Sequence, residues 1–402
     1  MNRFPLVKLP RRVMYVDDDG GFLNALRRTM PRVPRKFCDS PATALDTIRA
    51  EAPYWRSIER LLANAMEASD TQGGEASHYV TQYFQDWRRF HLTSVLVVDY
   101  NMPGMNGLEL VRELGDCPTR RVLLTGVADA EVAVGAFNKG LIQKFIPKST
   151  PNLNREITAS ADEMHRSVCE HLGHLIRSTV SAAHIELLHE PKVATMLAAL
   201  VEDDLGWSEY VVVGQPFGLL GMSHDGPLQW LQLETQESLR EQADALADLG
   251  YASTALSAVS DGTALSVHEI ETQLGLPLRR GVVDTDCLGS DLYYANVDLP
   301  VKVTNAAAYG VDDILSLDEM VASLLRDVVI AHRATQGLGI ADAELALGQA
   351  LAALGAAATA SQYHGQALHA AVARSAVDQA LAAKIEIAIA QARRGNTNGA
   401  AR

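Results

Sequence analysis

Short apolar runs alternate with stretches of helical spacing through the first 150 residues. The predicted strands are 13–16, 36–38, 95–98, 121–124 and 145–146. The predicted helices between them are about 22–30, 41–68, 107–114 and 129–137. Apolar strands that alternate with helices are typical of a parallel sheet covered on both faces. We therefore predict a doubly wound α/β domain with a five-stranded parallel sheet over residues 1–150.

The pattern changes after residue 150, and three further regions are predicted. Residues 151–205 have helical spacing and are interpreted as a connector. Residues 206–310 combine short strands and helices, which indicates a small α+β module. Residues 311–395 are rich in alanine, which indicates a mostly helical C-terminal region.

Polar residues stand at the carboxyl ends of the predicted strands. They are Asp17, Asp18, Asp99, Thr125 and Lys148. Ligands of parallel α/β sheets bind outside these strand ends, so we expect the five side chains to converge. Clustered carboxylates repel one another unless a cation relieves them, and carboxylate oxygens suit Mg²⁺. A lysine and a hydroxyl beside the metal would bind the oxygens of a phosphoryl group in transfer.

Four segments around these residues resemble the receiver domains of two-component response regulators. They are Val-Asp-Asp at 16–18, Val-Asp-Tyr-Asn-Met-Pro-Gly-Met-Asn-Gly at 98–107, Leu-Thr-Gly at 124–126 and Phe-Ile-Pro-Lys at 145–148. The resemblance implies a flavodoxin-like fold. It also implies that a sensor histidine kinase or a phosphotransfer protein donates a phosphoryl group to the chain, which is then a signalling protein and not an enzyme.

The resemblance assigns the phosphoacceptor and the metal ligands. Asp99 would accept the phosphoryl group. Asp17, Asp18 and Asp99 would hold Mg²⁺ with the backbone carbonyl of Asn101. Asp19 extends the acidic run, so the register is ambiguous by one residue; we favour Asp17 and Asp18 because the apolar strand ends at residue 16.

The resemblance also assigns the residues that would respond to phosphorylation. Lys148 would pair with the phosphoryl group, and Thr125 would hydrogen-bond to it. Phe145 matches the aromatic switch position, whose rotamer follows the movement of Thr125. The family usually has proline after the lysine, whereas Ser149 follows here and Pro147 precedes.

An insertion is predicted at about 51–91, because 81 positions (99 − 18) separate Asp18 from Asp99. That distance exceeds what one helix and one strand need. The insertion contains aromatic residues at helical spacing, namely Tyr79, Tyr83, Phe84, Trp87 and Phe90. We favour a helical hairpin that buries these aromatics against its own receiver. The alternative is a surface for a partner or a second copy of the chain.

Charge and composition restrict the classes of partner and the cellular location that we expect for the chain. Residues 1–150 carry 20 Lys and Arg against 17 Asp and Glu, so residues 151–402 carry 15 against 32 and a balance of −17. Such acidity argues against a DNA-binding output, which needs a basic surface. No apolar run reaches the about 20 residues that span a bilayer, and the first 12 residues lack the apolar core of a signal peptide. Four widely spaced cysteines suit free thiols, so we expect a cytoplasmic protein.

The function of residues 151–402 is open at this level. We find no P-loop, no catalytic serine elbow and no basic helix-turn-helix there. Our leading hypothesis is output through protein–protein contacts or homodimerisation. The alternative is an enzyme with its active site in residues 200–310, where the acidic candidates are Asp203, Asp204, Asp284, Asp286 and Asp291. A metal site at His165 and Cys169, four residues apart on a predicted helix, is a weaker alternative.

Overall fold

A computed structural model of the chain describes residues 3–30, 34–69, 76–126, 130–223, 226–278, 281–289 and 292–301. These residues form two units, each with its own main sheet. The parallel-sheet unit contains residues 11–57 and 91–165. The antiparallel-sheet unit contains residues 3–10, 58–90 and 166–301. The predicted alanine-rich region, 311–395, lies outside the described residues.

The parallel-sheet unit confirms the predicted five-stranded sheet. The first six strands of the chain are β1 (Val7–Lys8), β2 (Val13–Val16), β3 (Arg35–Cys38), β4 (Val95–Asp99), β5 (Arg120–Thr125) and β6 (Lys144–Pro147). The first six helices are α1 (Gly20–Thr29), α2 (Pro41–Ser69), α3 (Ala76–Gln85), α4 (Gly107–Glu113), α5 (Ala130–Asn138) and α6 (Leu153–Ile176). The sheet has the order β3-β2-β4-β5-β6, and all neighbouring strands are parallel.

Alternate residues of the parallel strands face two different cores. Met14 and Val98 pack on one face against residues of α2, α4 and α5. Tyr15 and Val97 pack on the other face against residues of α1 and α6. Burial on both faces requires apolar residues in the central strands, and β2 and the first four residues of β4 are apolar throughout. This requirement explains the unbroken apolar runs from which the sheet was predicted.

The antiparallel-sheet unit has the mixed helical and α+β content of the predicted fold class, and residues 151–165 of the predicted connector lie in the parallel-sheet unit. Its further strands are β7 (Trp207–Val213), β8 (Gly218–Ser223), β9 (Gln229–Thr235), β10 (Ala264–Leu265), β11 (Val283–Asp284), β12 (Asp286–Leu288) and β13 (Leu292–Asp298). Its further helices are α7 (Ala182–His189), α8 (Pro191–Ala199), α9 (Gln236–Asp248), α10 (Ser253–Ser260) and α11 (His268–Gln273). The main sheet has the order β1-β7-β8-β9-β13-β12 and is antiparallel throughout.

Two segments that the sequence analysis placed in the receiver belong to the antiparallel-sheet unit. The first contains β1, in which Val7 and Lys8 pair with Val211 and Tyr210 of β7. The second contains residues 58–90 of the insertion. Both assignments depend on pairing over more than 100 residues of sequence, which no local pattern reveals.

Within the described ranges, no helix has the length and apolar character needed to cross a membrane.

The aromatic hairpin of the insertion does not pack as predicted. Tyr83, Phe84 and Phe90 are buried, but they lie in the antiparallel-sheet unit, where α3 contacts β7 and α11. The favoured interpretation, burial against the receiver, is therefore corrected. The physical reason is a buried ion pair in which Nε and Nη2 of Arg89 donate to the carboxylate of Glu209 on β7, at 2.8 and 3.0 Å.

A second buried polar cluster joins the two ends of the insertion to the parallel sheet. The carboxylate of Glu51 accepts hydrogen bonds from the backbone N–H and the hydroxyl of Thr93, at 2.7 and 3.0 Å. Arg12 lies 3.5 Å from the same carboxylate and donates to the backbone carbonyl of His91. Burial, Arg12 and Lys36 together lower the pKa of the His91 side chain to about 3. The imidazole is therefore neutral in the folded protein at neutral and mildly acidic pH.

His91 makes the stability of the fold depend on pH. A histidine with a lowered folded-state pKa stabilises the fold above its unfolded pKa of about 6.5, and this stability is lost as the pH falls toward the folded value. Relative to a His91→Gln variant, we expect the wild type to lose about 2 kcal/mol of unfolding free energy between pH 7 and pH 5. Urea titrations of both proteins at the two pH values measure this difference. Equal losses in the two proteins would contradict a neutral buried imidazole.

Candidate functional site

The carboxyl end of β2 carries three consecutive aspartates with different environments. Asp17 is buried and accepts a hydrogen bond from the backbone N–H of Asp19 at 2.9 Å. Asp18 is exposed. Asp19 is the N-cap of α1, where its carboxylate accepts from the backbone N–H groups of Gly21 and Phe22. Since Asp19 is used by the helix, Asp17 and Asp18 are the pair available to the site, in the register that the sequence analysis favoured.

Asp99 ends β4, the central strand of the parallel sheet, and only 5% of its surface is exposed. The backbone N–H of Asn101 donates to its carboxylate at 3.2 Å. Gly107, the first residue of α4, lies against its backbone: a Cβ at this position would be 2.2 Å from the Asp99 carbonyl oxygen. The lack of a side chain at Gly107 therefore lets α4 begin directly beside Asp99. Asn106 caps the helix in a reciprocal arrangement with Glu109.

The sheet brings the three carboxylates together. One oxygen from each of Asp17, Asp18 and Asp99 lies within 4.8 Å of the others, and this is the one such group of potential metal ligands in the described part of the chain. The register explains the convergence, because Val16 of β2 pairs with Val98 of β4 and both strands end at the same edge.

Lys148 follows β6 and supplies the positive charge of the site. Its Nζ lies 2.7 Å from Asp17 Oδ2 and 2.9 Å from Asp99 Oδ1. Burial lowers the pKa of Lys148, but its hydrogen bonds to the two carboxylates outweigh this effect and raise it above the ordinary value. Burial raises the pKa of Asp17, and Lys148 opposes that rise. Three carboxylates against one ammonium leave the site with a negative charge, which favours a bound cation.

The remaining predicted residues lie on the neighbouring strands. Thr125 is buried at the end of β5, and its carbonyl accepts from the backbone N–H of Lys148 at 2.8 Å. Phe145 is half-buried on β6, with its ring 6.5 Å from that of Phe137 in an edge-to-face arrangement. The Phe22 ring lies 4.8 Å from Lys148 Nζ, a neighbour that the sequence analysis missed. Phe22 lies only three residues after the acidic run, but nothing in the local sequence pattern predicted its contact with Lys148.

Among the described residues, the other candidates considered from the sequence form no further group of potential metal ligands. Asp203, Asp204, Asp284 and Asp286 are exposed, and Asp291 lies outside the described residues. His165 Nδ1 lies 3.1 Å from the Ser94 hydroxyl, and Cys169 accepts a hydrogen bond from the backbone N–H of Leu9. All four cysteines are free thiols, as predicted.

Comparison with known proteins identifies the fold. No protein-family model and no curated protein sequence matches the chain. Among solved structures, the response regulator LqsR of Legionella pneumophila aligns with 79% of this chain and 96% of its own, at 24% identity and a TM-score of 0.56. Two shorter matches have a TM-score of 0.26. They are an adenylate cyclase from Rhodopirellula baltica (22% identity, 45% of this chain and 99% of that chain) and the REC domain of AraT, a response regulator from Geobacillus stearothermophilus (15%, 40% and 98%).

The likeness to LqsR shows the fold. This chain shares the fold of a response regulator over most of its length, and its parallel-sheet unit is a flavodoxin-like receiver fold. The fold class predicted from the sequence is thereby confirmed for the described residues.

Proposed function

We propose that the chain is a response regulator of a two-component phosphorelay and that Asp99 is its phosphoacceptor. The observation that carries this proposal is the convergence of three carboxylates and one lysine at the carboxyl edge of the parallel sheet. The receiver fold, shared with a response regulator, supports it. The phosphoryl donor would be a sensor histidine kinase or a phosphotransfer protein.

The donor set fits Mg²⁺. Asp17, Asp18 and Asp99 each offer an oxygen within the small spread given above, and hard oxygen ligands with room for water suit this ion. The backbone carbonyl of Asn101 would be a further ligand. Bound there, Mg²⁺ would neutralise charge on the phosphoryl oxygens. The site around Asp99 carries excess negative charge. Bound Mg²⁺ would therefore also lower the repulsion between the carboxylates and the incoming phosphoryl group.

The chain's own residues would carry out the transfer. A carboxylate oxygen of Asp99 forms the new bond to phosphorus as the phosphorus–nitrogen bond of phosphohistidine breaks, and the leaving imidazole keeps the electron pair. Lys148, which pairs with Asp17 and Asp99 in the structure, would move its ammonium group onto a phosphoryl oxygen. The hydroxyl of Thr125 would donate a hydrogen bond to another phosphoryl oxygen. Phe145 would follow the movement of Thr125.

We further propose that the phosphorylated chain signals through protein–protein contacts or homodimerisation. The acidity of residues 151–402 supports this output over nucleic-acid binding. The acyl phosphate would shift a population between two states that present different surfaces. Of the acidic residues considered for an enzyme, Asp203, Asp204, Asp284 and Asp286 are exposed, which gives no support to an enzymatic output.

Phosphorylation of Asp99 can be measured directly. After treatment with acetyl phosphate and Mg²⁺, we expect the intact mass of the wild type to rise by one phosphoryl group. Asp99→Asn should show no increase, and EDTA should prevent the increase in the wild type. Asp116→Asn, which removes an exposed aspartate of the same unit, is the matched control and should behave as the wild type.

The same samples test the output. A change in size-exclusion elution that accompanies the mass increase would support phosphorylation-dependent assembly, and an unchanged elution would contradict it. The receiver proposal fails if neither acetyl phosphate nor phosphoramidate raises the mass, or if the increase persists in Asp99→Asn.

A further inference from the structure

A cavity of about 240 Å³ lies in the antiparallel-sheet unit, between the segment that precedes β1 and one face of α6. Its lining contains six charged or titratable side chains: Arg3, Arg166, Glu170, His174, Arg177 and His189. We call it the basic cavity. Three arginines face one glutamate, so the lining is positive at neutral pH even though the whole chain carries a net charge of −14.

The helix concentrates these groups by its own geometry. Arg166, Glu170 and His174 are four residues apart and therefore share one face of α6, and Arg177 follows at the end of the helix. Arg3 reaches the same cavity from the N-terminal segment. Within the described part of the chain, none of the three arginines forms an ion pair, and Glu170 pairs with none of them.

The grouped charges act on one another. Burial lowers the pKa of His189, and the positive charges of Arg3 and Arg177 lower it further. The two arginines therefore lie close enough to His189 to raise the local positive potential. Like charges held together without counter-charges destabilise a fold unless an anion relieves them. The forked guanidinium group matches the oxygens of a phosphate particularly well.

The floor of the basic cavity is apolar and well anchored. Phe4 is buried and stacks on Tyr210 of β7, with ring centroids 5.1 Å apart. Leu6 is buried beside Gly173 of α6, where a Cβ would lie 3.5 Å from the Leu6 Cβ. The pairing of β1 with β7 fixes this segment in place. A ligand would therefore meet charged groups at the rim and an apolar surface beneath them.

We propose that the basic cavity binds a small organic phosphate ester. Its phosphate group would ion-pair with the arginines, and its apolar part would lie on Phe4 and Leu6. The volume is below the about 300–1,000 Å³ of typical small-molecule pockets, so the ligand is compact. Such a ligand would fasten the N-terminal segment to α6. This site is separate from the phosphoacceptor site and does not depend on the function proposed for Asp99.

Phenyl phosphate combines both features and is a direct probe. Isothermal titration is carried out with the full-length Asp99→Asn chain in EDTA, so that neither the phosphoacceptor nor a divalent metal contributes. We expect saturable binding of one phenyl phosphate per chain and no binding of phenol. The double variant Arg3→Gln/Arg177→Gln should weaken binding about tenfold or more, since it removes two charge-assisted contacts from exposed positions. Arg240→Gln, an exposed arginine on α9, is the matched control and should bind as the parent.

Three results would overturn the proposal. One is the absence of saturable binding at millimolar phenyl phosphate. Another is equal affinity in the parent and the Arg3→Gln/Arg177→Gln variant, with circular dichroism confirming that both are folded. The third is equal affinity for inorganic phosphate and phenyl phosphate, which would exclude a role for the apolar floor and so reject an ester ligand.

Discussion

Replacing Glu209 by leucine is expected to lower the free energy of unfolding of the antiparallel-sheet unit by about 3–5 kcal/mol, because it leaves the guanidinium of Arg89 buried without its carboxylate. Both side chains of this pair are almost fully buried, and two nitrogen–oxygen contacts of 2.8 and 3.0 Å join them. The hydroxyl of Tyr83 donates to the same carboxylate at 3.1 Å and would lose its acceptor as well. Urea denaturation followed by circular dichroism measures the loss.

A double-mutant cycle separates the cost of an unpaired charge from the value of the pair. Arg89→Met should be destabilising on its own. The Arg89→Met/Glu209→Leu double variant should lose less than the sum of the two single losses, because no buried charge remains uncompensated. Glu241→Ala, an exposed glutamate on α9, serves as the control and should change stability by less than about 0.5 kcal/mol. Additive losses in the cycle would show that the two residues do not act as a pair.

The second large effect is expected at Gly107. Alanine at this position places a Cβ 2.2 Å from the Asp99 carbonyl oxygen and 3.1 Å from Leu123 Cδ1, so the backbone of β4 or α4 must move. We expect a loss of stability of about 1–3 kcal/mol. Because the displaced backbone carries the proposed phosphoacceptor, the rate of phosphorylation by acetyl phosphate should fall on the order of 100-fold. Time-resolved intact mass gives the rate, and thermal unfolding gives the stability.

Gly135 provides the matched control for Gly107. It lies within α5 of the same unit, and a Cβ there meets nothing within 4 Å. Gly135→Ala should therefore stabilise the protein by about 0.5–1 kcal/mol, the usual gain from removing a helical glycine. Its phosphorylation rate should be that of the wild type. A Gly107→Ala protein with unchanged stability and rate would mean that α4 can move away from Asp99 at no cost.

Sequence alone determined the parallel sheet and the convergence of polar residues at its carboxyl edge. The central strands β2 and β4 are buried on both faces and form apolar runs, which are visible in the sequence without any partner. The carboxyl ends of β2, β4, β5 and β6 could be predicted because each apolar run is followed by polar residues of the site. Because parallel strands place their carboxyl ends at one edge, the meeting of Asp17, Asp18, Asp99 and Lys148 followed from their positions in the chain. The apolar strand stops at Val16, which is why Asp17 and Asp18 were the favoured pair of the acidic run.

Tertiary structure decided which segments join which unit. The pairing of β1 with β7 depends on backbone hydrogen bonds between segments about 200 residues apart, and such bonds leave no trace in side-chain spacing. The aromatic residues of the insertion have clear helical spacing. Such spacing shows that one face of a helix is buried, but it does not show which part of the protein covers that face. The ion pair of Arg89 and Glu209 joins the hairpin to β7. The sequence pattern alone would place these two charged residues at the surface, and only their contact with each other allows them to be buried.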